Sequence, residues 1–347
     1  MQVDSLLRWC CPADGYAPLR LGSASEDVVG CAAGAAKQNV ANGSALPSPV
    51  TFAGASAPAG SRDGRLHSGS LDCPRCGRRF PIEHGIPRLL VLESGPTAAL
   101  KQIEMLERDQ VRRPADTPRA RHDEEVEAAW VLDRVRPGQH DVILDAGCGV
   151  GRMTRRLLAG GAEVVATDFS FARLRELAAA HATNRRLECV EADLNHLPFR
   201  PESFTKIVCT QVLEHLPSTA LRRSFVASLA TLLVPGGTLV LTVYNQDRHR
   251  ELNRLPVEGK HESGIFYHCY RPAELQGELQ YPRLGLSLQD LRGVLCHPPG
   301  TYHVLPRLGP LGQWIDRACS RYRRFGLRHG RLLLACATRT AQAGNAV

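Results

Sequence analysis

Residues Val142–Leu157, VILDAGCGVGRMTRRL, read as a short buried strand, a glycine-rich turn and the start of a helix. Apolar residues fill the strand, and Gly147, Gly149 and Gly151 alternate through the turn. Glycine takes positive φ at little cost, so such a turn lets backbone come close to a bound ligand, and the helix N-terminus behind it favours negative charge. The spacing is not that of a dinucleotide-binding loop, whose third glycine would fall where this chain has Arg152. An acid, Asp145, ends the strand instead, which suits a ligand that also carries a cation.

The same strand-then-helix grammar repeats downstream. Strands are expected at Glu163–Thr167, Leu187–Val190, Phe204–Thr210 and Thr238–Val243. Helices are expected at Phe171–Ala182 and Thr219–Leu233, the second closed by Pro235-Gly236-Gly237 as a cap and turn. Such repeats indicate an α/β fold with a doubly wound, mostly parallel sheet and helices on both faces, and ligands of such sheets bind beyond the carboxyl ends of the strands. Acids gather at that edge. A vicinal diol offers two donors and a carboxylate accepts both, so Asp168, followed by Phe169, can hold a ribose; the alternative is a helix cap, a role open equally to Ser170. Asp193 can accept from an adenine amino group while Leu194 packs on the ring. S-adenosylmethionine, with an amino group, a carboxylate and a sulfonium beside its nucleoside, fits this set.

Taken together, LDAGCGVGR, ATDFS, EADLNHLPF, FTKIVCTQVLEHLP and LLVPGGTLVLTVYN resemble, in order, the class I S-adenosylmethionine-dependent methyltransferases of the type 11 group. The resemblance implies a seven-stranded Rossmann-like sheet whose last strands, at 292–296 and 331–338, run antiparallel. It also implies roles: Asp145, Gly147 and Gly149 at the methionine end, Asp168 at the ribose, Asp193 and Leu194 at the adenine, Gln211 on the pocket floor, and Phe169 as a further cofactor contact. Some related O-methyltransferases acting on quinone precursors carry Glu-x-x-Glu-His, which binds a divalent cation, where this chain has Gln211-Val-Leu-Glu214-His215. Hard cations want several carboxylates, and Gln211 removes one. Glu214 and His215 are candidates for a general base, imidazole titrating near neutrality, or else they shape the pocket rim. In related enzymes the segment around Phe266–Tyr270 borders the acceptor pocket. Glu258, His261, Tyr267 and His268 are therefore candidate acceptor contacts, with a structural role as the alternative for each. The preceding residues 246–264 show no period and read as a long loop.

The N-terminal part carries a second signal. Cys73-Pro-Arg-Cys76-Gly77 has the knuckle spacing with which two thiolates grip a tetrahedral zinc, and Cys11-Pro-Ala-Asp14 repeats it with an acid in the last place and Cys10 as an adjacent spare. Cys11, Asp14, Cys73 and Cys76 are the candidate ligands of one structural zinc, against a ribbon that holds its fold by packing alone. The phrase CGRRFPIEHGIPRLL resembles the small zinc-ribbon family that serves as activator subunit for several RNA and protein methyltransferases. Residues 1–95 are read as a ribbon interrupted by an Ala/Gly/Ser/Pro-rich insertion (23–70) too poor in apolar surface to offset its ordering entropy. Residues 96–122 are read as a helix, Thr97–Val111, and an Arg/Pro-rich linker. Residues 123–340 form the methyltransferase domain, opening with a helix, Asp123–Val135, that has acids in its first turn.

Over 347 residues, 43 Lys and Arg against 35 Asp and Glu give a net charge of +8, which permits contact with RNA or an anionic surface without requiring it. Arg317, Arg321, Arg323, Arg324 and Arg328, interrupted by Tyr322 and Phe325, read as a solvated helix face or as a contact for nucleic acid or anionic lipid. No apolar run is long enough to span a membrane, the N-terminus lacks the apolar core of a secretory signal, and cysteines inside buried strands point to a reducing cytoplasm. The function expected is methyl transfer from S-adenosylmethionine to an O or N atom of a small-molecule or lipid-linked acceptor. The alternatives are methylation of an RNA base of the guanine type, with the ribbon binding RNA, and a non-catalytic S-adenosylmethionine-binding scaffold. The scaffold would be expected to show erosion of the glycine turn or of Asp168, and both are intact.

Overall fold

The computed structural model describes residues 1, 8–22, 61–62, 65–91, 117–281, 284–296, 301 and 304–340. The helix expected over Thr97–Val111 and most of the 23–70 insertion lie outside them. The ribbon consists of β1 (Arg20–Leu21), β2 (Ser61–Arg62), β3 (Arg65–Leu66), β4 (Gly69–Asp72), β5 (Arg79–Glu83) and β6 (Ile86–Leu89). β2 and β3 pair with each other, and β1, β4, β5 and β6 form an antiparallel ladder. Strand structure thus begins before residue 70, where the insertion was expected to end.

α1 (Pro118–Val135) starts inside the stretch expected to be a linker. Thr117 accepts a hydrogen bond from the Ala120 backbone and Pro118 pre-sets the first turn, so the cap lies six residues upstream of the acids that signalled a start at Asp123. β7 (Val142–Ala146), α2 (Thr154–Ala159), β8 (Glu163–Asp168), α3 (Phe171–Ala180), β9 (Leu187–Ala192), β10 (Phe204–Thr210) and α4 (Thr219–Leu232) follow. β11 spans Leu233–Tyr244, so Pro235–Gly237 is not a turn after the helix but a bulge within the strand. Phe204 pairs with Leu233 and Lys206 with Thr238, and Gly236 at φ 80° lets the intervening residues loop out.

The expected loop 246–264 contains α5 (Arg248–Leu252), capped by Asp247, and enters a hairpin of β12 (Glu258–Lys260) and β13 (Phe266–His268). Elements this short leave no readable period. α6 (Pro272–Leu279) and β14 (Leu286–Cys296) lead to α7 (Pro310–Arg321) and α8 (Arg323–His329), which break at Tyr322, and β15 (Gly330–Arg339) closes the chain.

Seven strands in the order β9-β8-β7-β10-β11-β15-β14 form the expected sheet, parallel through β11 and antiparallel at β15 and β14. The ribbon extends it to eleven strands, because β6 pairs in parallel with β9. Arg88 on β6 donates to buried Glu191 on β9 at 2.6 Å, and its guanidinium lies 4.3 Å above the Phe171 ring. One apolar face of the sheet joins ribbon side chains, Trp9, Leu71 and Phe80 among them, to Phe199, Phe204 and α4; the other packs α1, α2 and α3. Trp9 is buried against Phe199, which meets Phe204 edge-on at 5.1 Å. Among the described residues no helix is long and apolar enough to cross a membrane.

Candidate active site

The glycine turn sits at the carboxyl end of β7. Gly147, Gly149 and Gly151 have φ of 79°, 55° and 82°, and a Cβ on Gly147 would lie 2.5 Å from Val212, which follows β10. Two neighbouring strand ends are therefore closed on each other through a residue with no side chain. Asp145 is 1 % exposed, and its carboxylate accepts the Thr154 hydroxyl at 2.6 Å. Burial pushes its carboxyl up to about 6, against that hydrogen bond. Asp168, at the end of β8, accepts from the Gly149 amide at 2.8 Å and the Ser170 amide at 3.0 Å. It therefore fixes the loop that lies beside it as well as ending its own strand. Phe169 is half-buried next to it. Asp193, after β9, accepts from the Asn195 amide at 3.0 Å and faces His196 at 3.5 Å, while Leu194 is buried.

Three residues that the sequence did not single out tie this edge together. Glu127, near the middle of α1 and 1 % exposed, accepts from Gln211 at 2.7 Å and from Thr242 at 2.6 Å. It also forms an ion pair at 2.7 Å with Arg152, in the glycine turn. Burial works against the Arg152 charge, but Glu127 and Glu124 outweigh it and hold the guanidinium more firmly protonated. Gln211 occupies a left-handed conformation, φ 55°, which is costly for a side-chain-bearing residue and typical of built sites. Its side chain is turned to Glu127. The only available sign of Glu127 was an acid one place from Val126 in an otherwise apolar helical stripe. Tyr244, at the end of β11, is the third, and burial followed by the nearby Glu214 carboxylate pushes its phenol up.

Glu214 is fully buried, whereas His215 is half-buried. The His215 Nδ1–H donates to the Phe266 carbonyl at 2.8 Å, which places the lone pair on Nε2. His215, Tyr244, His261 and Tyr267 form a ring cluster, with centroids 5.8 Å apart for His215 and Tyr244 and 4.8 Å for His261 and Tyr267. His268 lies apart from it. It donates to Glu274 at 2.7 Å, meets the Tyr270 ring edge-on and stands 3.7 Å from exposed Glu258. Although burial acts the other way, the His268 hydrogen bond and charge hold the Glu274 carboxyl below its usual range. Of the four candidate acceptor contacts, the structure brings His261 and Tyr267 to His215 and builds His268 and Glu258 into a separate brace.

The cysteine cluster repeats one local design twice. Gly15 and Gly77, at φ 71° and 72°, each donate to the carbonyl of the cysteine opening their knuckle, at 2.8 and 2.9 Å. Ligand atoms of Cys11, Asp14, Cys73 and Cys76 lie within 4.8 Å of one another, and among the described residues no other such group of His, Cys, Asp and Glu occurs, including at Gln211–His215.

A family profile described as a methyltransferase domain matches residues 144–241. A ubiquinone biosynthesis O-methyltransferase of Xanthomonas axonopodis pv. citri is 31 % identical over 187 residues, 50 % of this chain and 73 % of that protein. This chain belongs to the S-adenosylmethionine-dependent methyltransferases. The counterpart from Xanthomonas euvesicatoria pv. vesicatoria is 32 % identical over 170 residues. The match covers 45 % of this chain and 66 % of that methyltransferase, and about the same share, 65 %, of one from Xylella fastidiosa. Among solved structures, the Haemonchus contortus phosphoethanolamine N-methyltransferase 1 superimposes with a TM-score of 0.50 at 12 % identity, covering 73 % of this chain and 51 % of that methyltransferase, and so shares the fold. The matched segment holds the glycine turn, Asp168, Asp193 and Gln211–His215; the ribbon and the hairpin lie outside it.

Proposed function

We propose that this methyltransferase methylates a hydroxyl oxygen or an amine of a small-molecule or lipid-linked acceptor held at the ring-lined mouth. The observation that carries the reading is the meeting of two constellations at one sheet edge: the Asp145–Asp168 turn, and His215 with its Nε2 lone pair among Tyr244, His261 and Tyr267. When bound, S-adenosylmethionine supplies a methyl group on a sulfonium, chemistry that needs positioning and water exclusion more than a nucleophilic residue. Asp168 accepts from the ribose hydroxyls, Asp193 and Leu194 border the adenine, and Asp145 with Gly147 and Gly149 faces the methionine end. Tyr267 and His261 orient the acceptor, and His215 Nε2 takes its proton. The relatives' names favour oxygen as the methylated atom.

Calorimetry with S-adenosylmethionine tests the cofactor site. Asp168→Ala removes a charged acceptor and also frees the Gly149 amide, so binding should weaken roughly 10- to 100-fold; no binding by the wild type, or equal binding by the variant, rules the reading out. Transfer of labelled methyl to extract components then identifies the acceptor.

Asp145 adds a pH signature. A carboxyl whose folded value is raised to about 6 takes up a proton on folding, so its contribution to stability declines as pH rises from its ordinary value through about 6. The ammonium of the ligand prefers the ionised form, so the opposite trend is expected for binding. Affinity for S-adenosylhomocysteine should be roughly tenfold weaker at pH 5 than on the plateau above 7, and Asp145→Asn should flatten the profile. A pH-independent affinity in the wild type would remove Asp145 from the methionine end.

The cysteine cluster fits a structural zinc. Tetrahedral zinc–thiolate bonds of about 2.3 Å set ligand atoms about 3.8 Å apart. Cys11 and Cys76 sulfurs are 3.7 Å apart, and the Cys73 sulfur is 3.7 Å from an Asp14 oxygen. We infer that Cys11, Asp14, Cys73 and Cys76 hold it.

A further inference from the structure

α7 is inside out. The side it turns into the protein is Gly312, Asp316 and Ser320, and the opposite side begins with Leu311 and Trp314, which are 57 % and 66 % exposed. The inward side is specified in detail. A Cβ on Gly312 would lie 2.0 Å from the Leu305 carbonyl oxygen, and buried Asp316 accepts from His122, the Cys296 amide and Ser320. The helix therefore cannot be rotated to hide its apolar side.

The outward apolar surface is concentrated. Of the eight large apolar side chains exposed among the described residues, five are Val304, Leu308, Leu311, Trp314 and Tyr322, and two more, Leu252 and Leu255, belong to or follow α5, which packs on α8. Large apolar side chains gathered in one exposed region of a folded chain mark an interaction site. Its charge is one-sided. Residues 304–329 hold six arginines and one acid, the buried Asp316. Arg307, Arg317, Arg321, Arg324 and Arg328 are exposed, and none makes an ion pair with a carboxylate of the described residues.

We propose that this face docks on an anionic phospholipid bilayer, with α7 lying in the headgroup plane, Leu308, Leu311 and Trp314 inserted, and the arginines against lipid phosphates. Tryptophan and leucine flanked by arginine are what an interfacial helix needs. RNA fits less well, since base stacking uses Trp and Tyr but leaves Val304, Leu308 and Leu311 without a partner. A second copy of the chain is disfavoured because a two-fold contact would set the same uncompensated arginines against each other. α5 packs on α8 and carries Arg250, whose guanidinium lies 5.6 Å from the centre of the Tyr267 ring, so this face adjoins the hairpin and an acceptor held in the bilayer can reach the mouth. That last step rests on the methyl-transfer reading, but the docking does not.

The test is flotation of the full chain with vesicles of phosphatidylcholine and phosphatidylglycerol in equal parts, beside vesicles of phosphatidylcholine alone. Binding is expected to the anionic vesicles only, to weaken with salt, and to fall roughly fivefold for each of Arg317→Gln, Arg321→Gln and Arg324→Gln. Trp9 and Trp130 are buried, so a blue shift of tryptophan emission on binding reports Trp314. Trp314→Phe should keep the binding and lose the shift, while Leu311→Ser with Trp314→Ser should abolish binding with S-adenosylhomocysteine affinity and circular dichroism unchanged. The proposal is overturned by any of four results: no flotation with anionic vesicles, flotation that survives both sets of changes, RNA binding in place of vesicle binding, or a lipid-free dimer that the double serine variant dissolves.

Discussion

Glu127→Ala should destabilise the protein by about 3–5 kcal/mol and weaken S-adenosylmethionine binding, the largest effect expected of any single change on the sheet edge. Glu127 is almost wholly buried and holds three partners that belong to different elements: Arg152 in the glycine turn, Gln211 after β10 and Thr242 on β11. Removing it leaves the guanidinium with a reduced share of negative charge, since Glu124 remains, and leaves two dipoles without their acceptor. Gln211 is already in a left-handed conformation, and its side-chain bond to Glu127 is one of the interactions that hold it there. Glu127→Gln keeps the shape but loses the charge, so its loss should be smaller, with the Gln211 and Thr242 contacts partly retained. Urea unfolding of both variants, with calorimetry for the ligand, measures this. A loss under about 1 kcal/mol for the alanine variant would mean that Glu127 is not the hub of this edge.

The contrast between Glu127 and Asp168 shows what the sequence carried and what it did not. The position of Asp168 was legible because it depends on local order: a strand ends on an acid, a helix begins, and the spacing from Asp145 is a property of one β-α-β unit. Glu127 acts across 84 residues to Gln211 and 115 to Thr242, and its neighbours along the helix say nothing about which strand ends it meets. The parallel sheet was legible for the same local reason, from apolar β-branched runs between helical ones. The bulge at Pro235–Gly237 was not, because the same residues serve a helix C-cap and only the pairing of β10 with β11 decides between them. The start of α1 was misplaced since Thr117-Pro118 is as good a stop signal for a linker as a start signal for a helix. The hairpin holding Tyr267 needed a partner strand of three residues, too short for periodicity to mark. His261, Tyr267 and His268 were all legible as a group, but their separation into the His215 ring cluster and the Glu274 brace follows from strand alternation, which sends neighbours in sequence to opposite faces.

The second large effect concerns the ribbon. Elemental analysis of the purified chain should find about one zinc per molecule, and Cys73→Ser should lose it. The site takes two ligands from each side of the insertion, so a metal bound there closes the chain between Cys11 and Cys73. By chain-entropy arithmetic a cross-link closing a loop of that size restricts the unfolded chain by about 4 kcal/mol, a large share of what so small a ribbon can have. The loss should be felt locally. Trp9 remains packed on Phe199, and β6 remains paired with β9 through Arg88 and Glu191. Hydrogen exchange in Cys73→Ser is therefore expected to accelerate in β1 and β4, which depend on the knuckles, and to change little in β7 to β11. Asp14→Cys makes the two knuckles alike, C-P-x-C-G in both, and replaces a carboxylate with the softer ligand zinc prefers, so it should raise zinc affinity and slow exchange in the same strands. Equal and negligible zinc in wild type and Cys73→Ser would instead assign the ribbon's stability to the Trp9 and Phe80 core alone, and then Asp14→Cys should change nothing.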